Sequence, residues 1–421
     1  MVKLLGRFVD AASRMPLRHI LLLGLLLRLG WCLAVPIIPI SDAVIYDSFA
    51  RQIAVGHGYF WPDGKPAVYW AVGPSALYAL TYGAVGDGHA AVAAINVAMG
   101  VGLIAAIHQV ALARFGQNIA RMAALSWAVW PTWIIFTTIL SSELPANFLL
   151  MAGIACILSG GRHYWPRLAI GCLLLCASAY MRPTALPLIV AVPVLDAMMS
   201  GRWRRALAAG IMALAIAIAC FAPWVARNQA YFGQPVLVSA NFGANLWMGN
   251  NPASQGGYMP LPADIPNNEA ARDTLLKERA LEFIVENPGR YLMLCLKRVR
   301  LSFERETIGI AWNQNGLPAA VQSPLKILAS AYWLVILASA AVGVLHYLWR
   351  RPIRLFDPLI ASAGLMAAVP VLVVGMDRYH LGLTPFLAIF APIALVRWSA
   401  MRPKSRHPEV APALPLAGPA S

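Results

Sequence analysis

Charge is scarce in this chain of 421 residues: Asp, Glu, Lys and Arg together make up 12%, and the acids are the scarcer half, 18 against 33 bases. With 59% hydrophobic residues and a mean hydropathy of +0.64, the chain has more apolar surface than one soluble core of this size hides. A disordered chain is thereby excluded. Cysteine is sparse too, with six residues, five of them inside apolar runs, and none pairs with another in a polar segment, so no disulfide scaffold is expected. The eight histidines show neither HExxH nor paired Cys/His spacing, so no dedicated structural zinc site is expected; no cofactor is expected either, with a divalent cation as the alternative. Ten-residue polar/apolar alternation is missing, which excludes an outer-membrane barrel. Nor is there an internal repeat. A small-residue cleavage motif is also missing after the first apolar run, where Trp31, Cys32 and Pro36 stand, so that run reads as an anchor and not a cleaved signal peptide.

What is present is a series of Leu-, Ala- and Ile-rich runs near the length that crosses hydrocarbon. They lie at about 19–40, 89–113, 119–139, 144–160, 166–181, 184–200, 206–226, 325–348, 358–376 and 380–397. The expected fold is therefore an all-α polytopic membrane protein with about ten transmembrane helices. One further apolar stretch, 73–85, is too short to cross and decides the topology. Read as re-entrant or interfacial, it puts six basic clusters on one side: Lys3, Arg7, Arg14 and Arg18; Arg114 and Arg121; Arg162 and Arg167; Arg202, Arg204 and Arg205; Arg350, Arg351 and Arg354; and Arg397, Arg402, Lys404 and Arg406. By the positive-inside rule that side is the cytoplasm, and both termini lie there. The net charge of +15 is then an orientation signal, and nucleic acid is not an expected partner. Two loops project outward, 41–88 and 227–324, both with interfacial helices. A single membrane domain, 1–400, precedes a Pro- and Ala-rich tail, 401–421, that reads as disordered and cytoplasmic.

The first outer loop opens with "SDAVIYDSFARQIA", in which Ile45, Phe49 and Ile53 recur at helical spacing. Asp42 falls on that apolar face; Asp47 falls elsewhere, with Arg51 four positions on as a ready partner. For Asp42 two readings stand, a helix cap beside Ser41 or a catalytic base. The helix breaks at "GHGYFWPDG", where Tyr59 and Trp61 gather with Tyr69, Trp70, Asp63 and Lys65. Such aromatics form an interfacial belt or stack on a sugar or prenyl chain.

Glu143, in "TTILSSELPANF", comes at the outer end of the third run, on the same side as Asp42. It either complements the dipole of the next helix or belongs to a site. Arg182 in "YMRPTALP", Arg227 in "PWVARNQAYFG" and Arg378 in "MDRYHLG" lie at outer helix ends, where positive charge is disfavoured. They either snorkel or hold phosphate bidentately. Arg28 stands in mid-run and must face the bundle, because an unpaired charge there costs about 3 kcal/mol. In the second loop, "NLWMGNNPASQGGY" offers amides and rings that suit hydroxyl-rich ligands. An amphipathic helix follows, with Leu276, Ala280, Phe283 and Ile284 on one face and a stop at Asn287, Pro288 and Gly289. After it, "YLMLCLKRVRLSFERE" reads as a segment along the membrane surface.

The order of these features, "SDAVIYDSFA", "GHGYFW", "PSALYAL", Glu143, "MRPTALP", "PWVARNQAYFG", "NLWMGNNPASQGGY" and "DRYHLGLTPFLAIFAP", resembles the bacterial relatives of protein O-mannosyltransferases. These belong to the GT-C superfamily, which includes lipid A aminoarabinose transferases and lipopolysaccharide-core galacturonic acid transferases. The resemblance covers the chain to about Arg397. It implies a GT-C-like fold in the bacterial inner membrane and transfer of a sugar from a polyprenyl-phosphate donor to a glycan, lipid or protein acceptor on the outer face. It matches Asp42 to the family's first-loop acid, the general base, and Glu143 to its second acid. Ala43 departs from the pattern, where a second acid is usual, and makes protein O-mannosylation the less fitting activity. Lys65, Arg182, Arg227, Arg378, Tyr59 and Trp61 are then the candidates for binding substrate. Two alternatives stand beside this reading. A polyprenyl-linked sugar flippase would need charge along a mid-membrane path, and an O-antigen polymerase or ligase would use a diphosphate-linked donor.

Overall fold

The computed structural model describes residue 9 and residues 11–86, 88–349 and 355–400, the last four by backbone alone. The 401–421 tail, the basic residues at 3, 7 and 350–354 and those beyond 400 lie outside the described residues. Among those described there is no strand; the closest approach is an isolated antiparallel bridge between Phe60 and Pro66.

All ten apolar runs are helical. The first is α1, Leu17–Ala34, which ends earlier than its composition suggests: Val35, the residue before Pro36, is extended, and 36–40 is not helical. The outer loop forms α2, Asp42–Ala54, and α3, Val72–Val85. Next come α4, His89–Phe115, and a broken segment, α5, Gln117–Ala128, with α6, Pro131–Ile135, bent by 58° where Trp130 precedes Pro131. A hairpin follows: α7, Glu143–Leu158, and α8, Tyr164–Met181, meet at 110°. Gly160 and Gly161, with φ of 44° and 79°, make that turn, which side chains would resist. Backbones touch along it, since a Cβ on Gly153 would lie 2.9 Å from the Gly171 carbonyl oxygen.

The remaining membrane helices are α9, Leu186–Met199, and α10, Trp203–Phe232. The second outer segment then forms α11, Phe242–Gly249; α12, Glu269–Glu286; α13, Pro288–Phe303; and α14, Ile308–Trp312. It is followed by α15, Ala319–Trp349; α16, Pro358–Leu372; and α17, Thr384–Ala400. The molecule is an all-helical, multi-pass membrane protein. Among the described residues four helices are able to cross by length and composition, α1, α4, α10 and α15, or up to six if each bent pair is one span. The other apolar helices are shorter, so the expected ten crossings exceed what length and composition alone establish.

Lipid-facing surface is visible as stripes. Leu207, Ile211, Leu214 and Ile218 on α10 are all exposed at helical spacing, whereas the interior is filled by Trp127, Trp130, Trp133, Trp333, Phe386 and Phe390. Arg28 is buried as expected; its Nη1 donates to the Gly24 and Ala128 carbonyls at 3.0 and 3.2 Å. On α12, Leu276, Ala280 and Phe283 are buried as the periodicity predicts, and Asn268 caps the helix by accepting from Ala270 and Ala271. The predicted surface segment is the helix α13. Its Arg298 donates to the Val373 carbonyl at 2.8 Å, which fixes it across the end of α16.

Both ends of α3 lie at one end of the bundle. A Cβ on Gly73 would be 2.5 Å from the Tyr180 carbonyl oxygen, next to Arg182. Further on, the Tyr78 hydroxyl reaches Asn96 Oδ1 and the Ser141 carbonyl, each at 3.3 Å, and Tyr82 donates to Asp47. The short stretch therefore stays beside the helix ends that carry Asp42 and Glu143.

Candidate functional site

Asp42 is the first residue of α2. The non-helical 35–40 linker delivers it, and Ser41 turns the chain at φ 55° and ψ −131°, the one positive-φ non-glycine residue among those described. Such backbone is held only where surroundings enforce it. Ser41 makes no side-chain cap. The Asp42 carboxylate is held by two side chains: Oδ2 accepts from Arg378 Nη1 at 2.5 Å and Oδ1 from Trp70 Nε1 at 3.4 Å.

Glu143 opens α7, so it does complement that helix's dipole. Its side chain is 2% exposed, and its partners are cations: Oε1 accepts from Arg378 Nε and from Arg182 Nη1, both at 2.5 Å. The Ser142 hydroxyl lies 3.2 Å from Oε2 and 3.1 Å from Arg182 Nη1. Arg182 reaches the site because Pro183 forbids helical geometry before it, and the residue leaves α8 at φ −146° and ψ 118°. Arg378 stands on the loop between α16 and the turn Tyr379–Gly382, with its guanidinium 4.6 Å from the centre of the Trp312 ring.

Two carboxylates and two guanidiniums therefore meet, drawn from four separate stretches of chain. Burial works against the charge on Arg378, but Glu143 and Asp42 outweigh it and hold its guanidinium well above its ordinary range. Tyr46, one helical turn beyond Asp42, is buried against the same cluster, and burial together with the Asp42 carboxylate pushes its hydroxyl up to about 12. It stays a neutral donor. Beside Arg182 a small pocket is lined by Asn147, Leu150, Ser178, Met366, Val369 and Tyr379, a mixture of polar and apolar side chains.

The other candidates lie elsewhere. Lys65 is on an exposed turn, paired with Asp63 at 2.7 Å. Arg227 donates to the Tyr59 and Ala67 carbonyls, both at 2.8 Å, and is ringed by Trp224, Tyr231, Phe60 and Phe232. Tyr59 is buried, with its hydroxyl on the Trp70 carbonyl at 3.0 Å. Trp61 donates to Glu269 Oε1 at 2.9 Å; the other oxygen of Glu269 accepts from the Val68 and Tyr69 amides at 2.6 and 2.7 Å. These residues fasten the first loop to α10 and α12. Asp47 keeps its pair with Arg51 at 3.1 Å, and Tyr82 also donates to it, so it ties α2 to α3.

No protein-family model matches the sequence, and no curated protein matches it. Solved structures do. The apo oligosaccharyltransferase of Archaeoglobus fulgidus superposes with a TM-score of 0.58 at 12% identity, over 91% of this chain and 50% of that one. The same organism's oligosaccharyltransferase AglB, in complex with an inhibitory peptide and a dolichol-phosphate, gives 0.53 at 13% identity, over 90% and 50%. That enzyme is a GT-C membrane glycosyltransferase. The chain has the GT-C fold. It spans about half the length of the oligosaccharyltransferases it matches. ArnT from Cupriavidus metallidurans bound to undecaprenyl phosphate is a further neighbour, with a TM-score of 0.46 at 13% identity, over 91% of this chain and 76% of that one.

Within this fold three residues at the acid cluster, Tyr46, Tyr379 and Trp312, are not singled out by the sequence. Tyr46 had a usable signal, since i and i+4 share a helix face with Asp42. Tyr379 adjoins Arg378. Trp312 has no such signal, because only the folded loops bring it in, and Trp70 stands out in sequence as a loop aromatic but not as a partner of Asp42.

Proposed function

We propose that this protein is a membrane glycosyltransferase that moves a sugar from a polyprenyl-phosphate donor to a cell-envelope acceptor, at the outer face of the bacterial inner membrane. The observation that carries this reading is the meeting of Asp42 and Glu143 on Arg378 and Arg182 at one end of a GT-C bundle. A solved neighbour in complex with a dolichol-phosphate supports the class of donor.

In this mechanism the acceptor hydroxyl oxygen attacks the anomeric carbon, and Asp42 takes its proton, a contribution of roughly 10²- to 10⁴-fold. The bond from the anomeric carbon to the phosphate oxygen breaks, and the electron pair leaves with the polyprenyl phosphate. Arg182 and Arg378 neutralise the charge that grows there. Glu143 holds both guanidiniums in place and orients acceptor or sugar. One displacement opposite the phosphate inverts the anomeric centre. The small pocket beside Arg182 has Leu150, Met366 and Val369 in its lining, which puts apolar side chains next to a cation, the pairing a prenyl phosphate calls for. Lys65 and Arg227 remain candidates for phosphate only through movement of the first loop, because both are engaged in it.

The test is transfer by purified protein from undecaprenyl-phosphate-linked sugar to a membrane extract. Loss of transfer in Asp42→Asn with binding of undecaprenyl phosphate retained is expected. Full transfer by Asp42→Asn would remove the base and with it the reading. Comparing surface glycans of a deletion strain with its parent identifies the acceptor.

A further inference from the structure

Arg378 stands on a loop, and an arginine side chain keeps one geometry only where the chain around it is held. One short stretch, 306–312, holds that chain at three points. Thr307 donates twice to Asp377 Oδ2, from its N–H at 3.1 Å and its hydroxyl at 2.6 Å. Glu306 faces His380, with Oε1 3.7 Å from Nε2, and both side chains are fully buried. The second oxygen of Glu306 accepts from Trp130 Nε1 at 3.0 Å. His380 stacks on Trp333 at 4.0 Å, and its Nδ1 lies 2.5 Å from the Ser302 carbonyl, which can only accept, so Nδ1 carries a proton. Trp312 then covers the guanidinium itself. The chain is thus anchored on both sides of Arg378 and capped above it.

Asp377 gives this arrangement chemical meaning. It is a third carboxylate, one residue from Arg378, yet it is turned onto Thr307 while Arg378 serves Asp42 and Glu143. A carboxylate released at that position competes for the same guanidinium.

We infer that residues 306–312 form a latch that sets Arg378 between Asp42 and Glu143, with Thr307 and Asp377 as positioning residues. The inference rests on the glycosyl-transfer reading. Because the latch follows directly on α13, docking of the second outer segment and assembly of the acid cluster are one event.

The experiment measures transfer of radiolabelled sugar from undecaprenyl phosphate to a membrane extract by full-length protein, with thermal unfolding recorded for each variant. Thr307→Val is expected to lower kcat ten- to hundredfold, the scale of a small misplacement of a reacting group, with donor KM within about threefold. Thr307→Ser keeps the hydroxyl and the wild-type rate. Asp377→Asn still accepts from Thr307 and also keeps it. The double variant Thr307→Val with Asp377→Asn removes the competing charge and recovers most of the lost rate, which a merely structural defect would not do. Wild-type kcat in Thr307→Val overturns the latch, and so does a double variant as slow as Thr307→Val. Asp42→Asn in the same assay separates the two ideas: if it transfers normally, the functional reading itself has failed.

Discussion

Asp42 and Arg378, 336 residues apart in the chain, meet at 2.5 Å. The pairing decides how an aspartate at a helix start is to be understood. A capping aspartate turns back to its own backbone amides, whereas this one turns outward to a cation. Asp42→Asn keeps the shape and removes both the negative charge and the basic site. Transfer should fall by roughly 10²- to 10⁴-fold while the protein stays folded. Initial rates beside a thermal unfolding curve check this; a rate within twofold of wild type contradicts it.

Glu143 has a different burden. With 2% exposure and two guanidiniums at 2.5 Å, it is the buried partner on which both cations depend. Removing one member of a buried pair strands the other, typically at a cost of about 3–5 kcal/mol. Glu143→Gln should therefore lower the unfolding temperature markedly as well as abolish transfer. Asp42 is 24% exposed on its side chain, so water screens the same change there and its stability cost is smaller. Unfolding of the two variants in one detergent tests the order. Equal stability would show that Glu143 does not hold the cluster together.

Positive charge between the two carboxylates is supplied by Arg378, which touches both. Transfer should stay within about twofold after EDTA treatment, the cluster being electrically balanced by its own residues. A loss of activity that Mg²⁺ or Mn²⁺ restores would show that a metal displaces the guanidinium during turnover.

Helices were legible in the sequence because lipid demands long apolar runs, and the acids because so few exist to choose from. What periodicity cannot express is convergence. Arg182 and Arg378 stood out by their side of the membrane, but nothing in "YMRPTALP" or "MDRYHLG" says that both reach Glu143. Conversely, Tyr59, Trp61 and Arg227 looked like ligands in waiting, and in the fold each is tied to another part of the first loop's mooring. The pairing of Asp377 with Thr307 was invisible for the same reason, since its two halves come from opposite sides of α15.

Arg182 and Arg227 were indistinguishable in sequence, both arginines at outer helix ends, and the structure separates them. Arg182 meets Glu143 at the edge of a pocket, with its side chain 20% exposed. Arg227 spends its guanidinium on two loop carbonyls and a ring of aromatics. Arg182→Gln should raise donor KM by roughly tenfold or more, the worth of one charge-assisted bond to phosphate, with a modest change in stability. Arg227→Gln should instead lower the unfolding temperature, since carbonyls of the buried loop lose their donor, and donor KM should move little in the fraction that folds. Lys65→Ala, on an exposed turn, should change neither. Steady-state kinetics on the three variants decide the matter: a donor KM that rises for Arg227→Gln or Lys65→Ala but not for Arg182→Gln would mean that the first loop moves to bring its own cations to the phosphate.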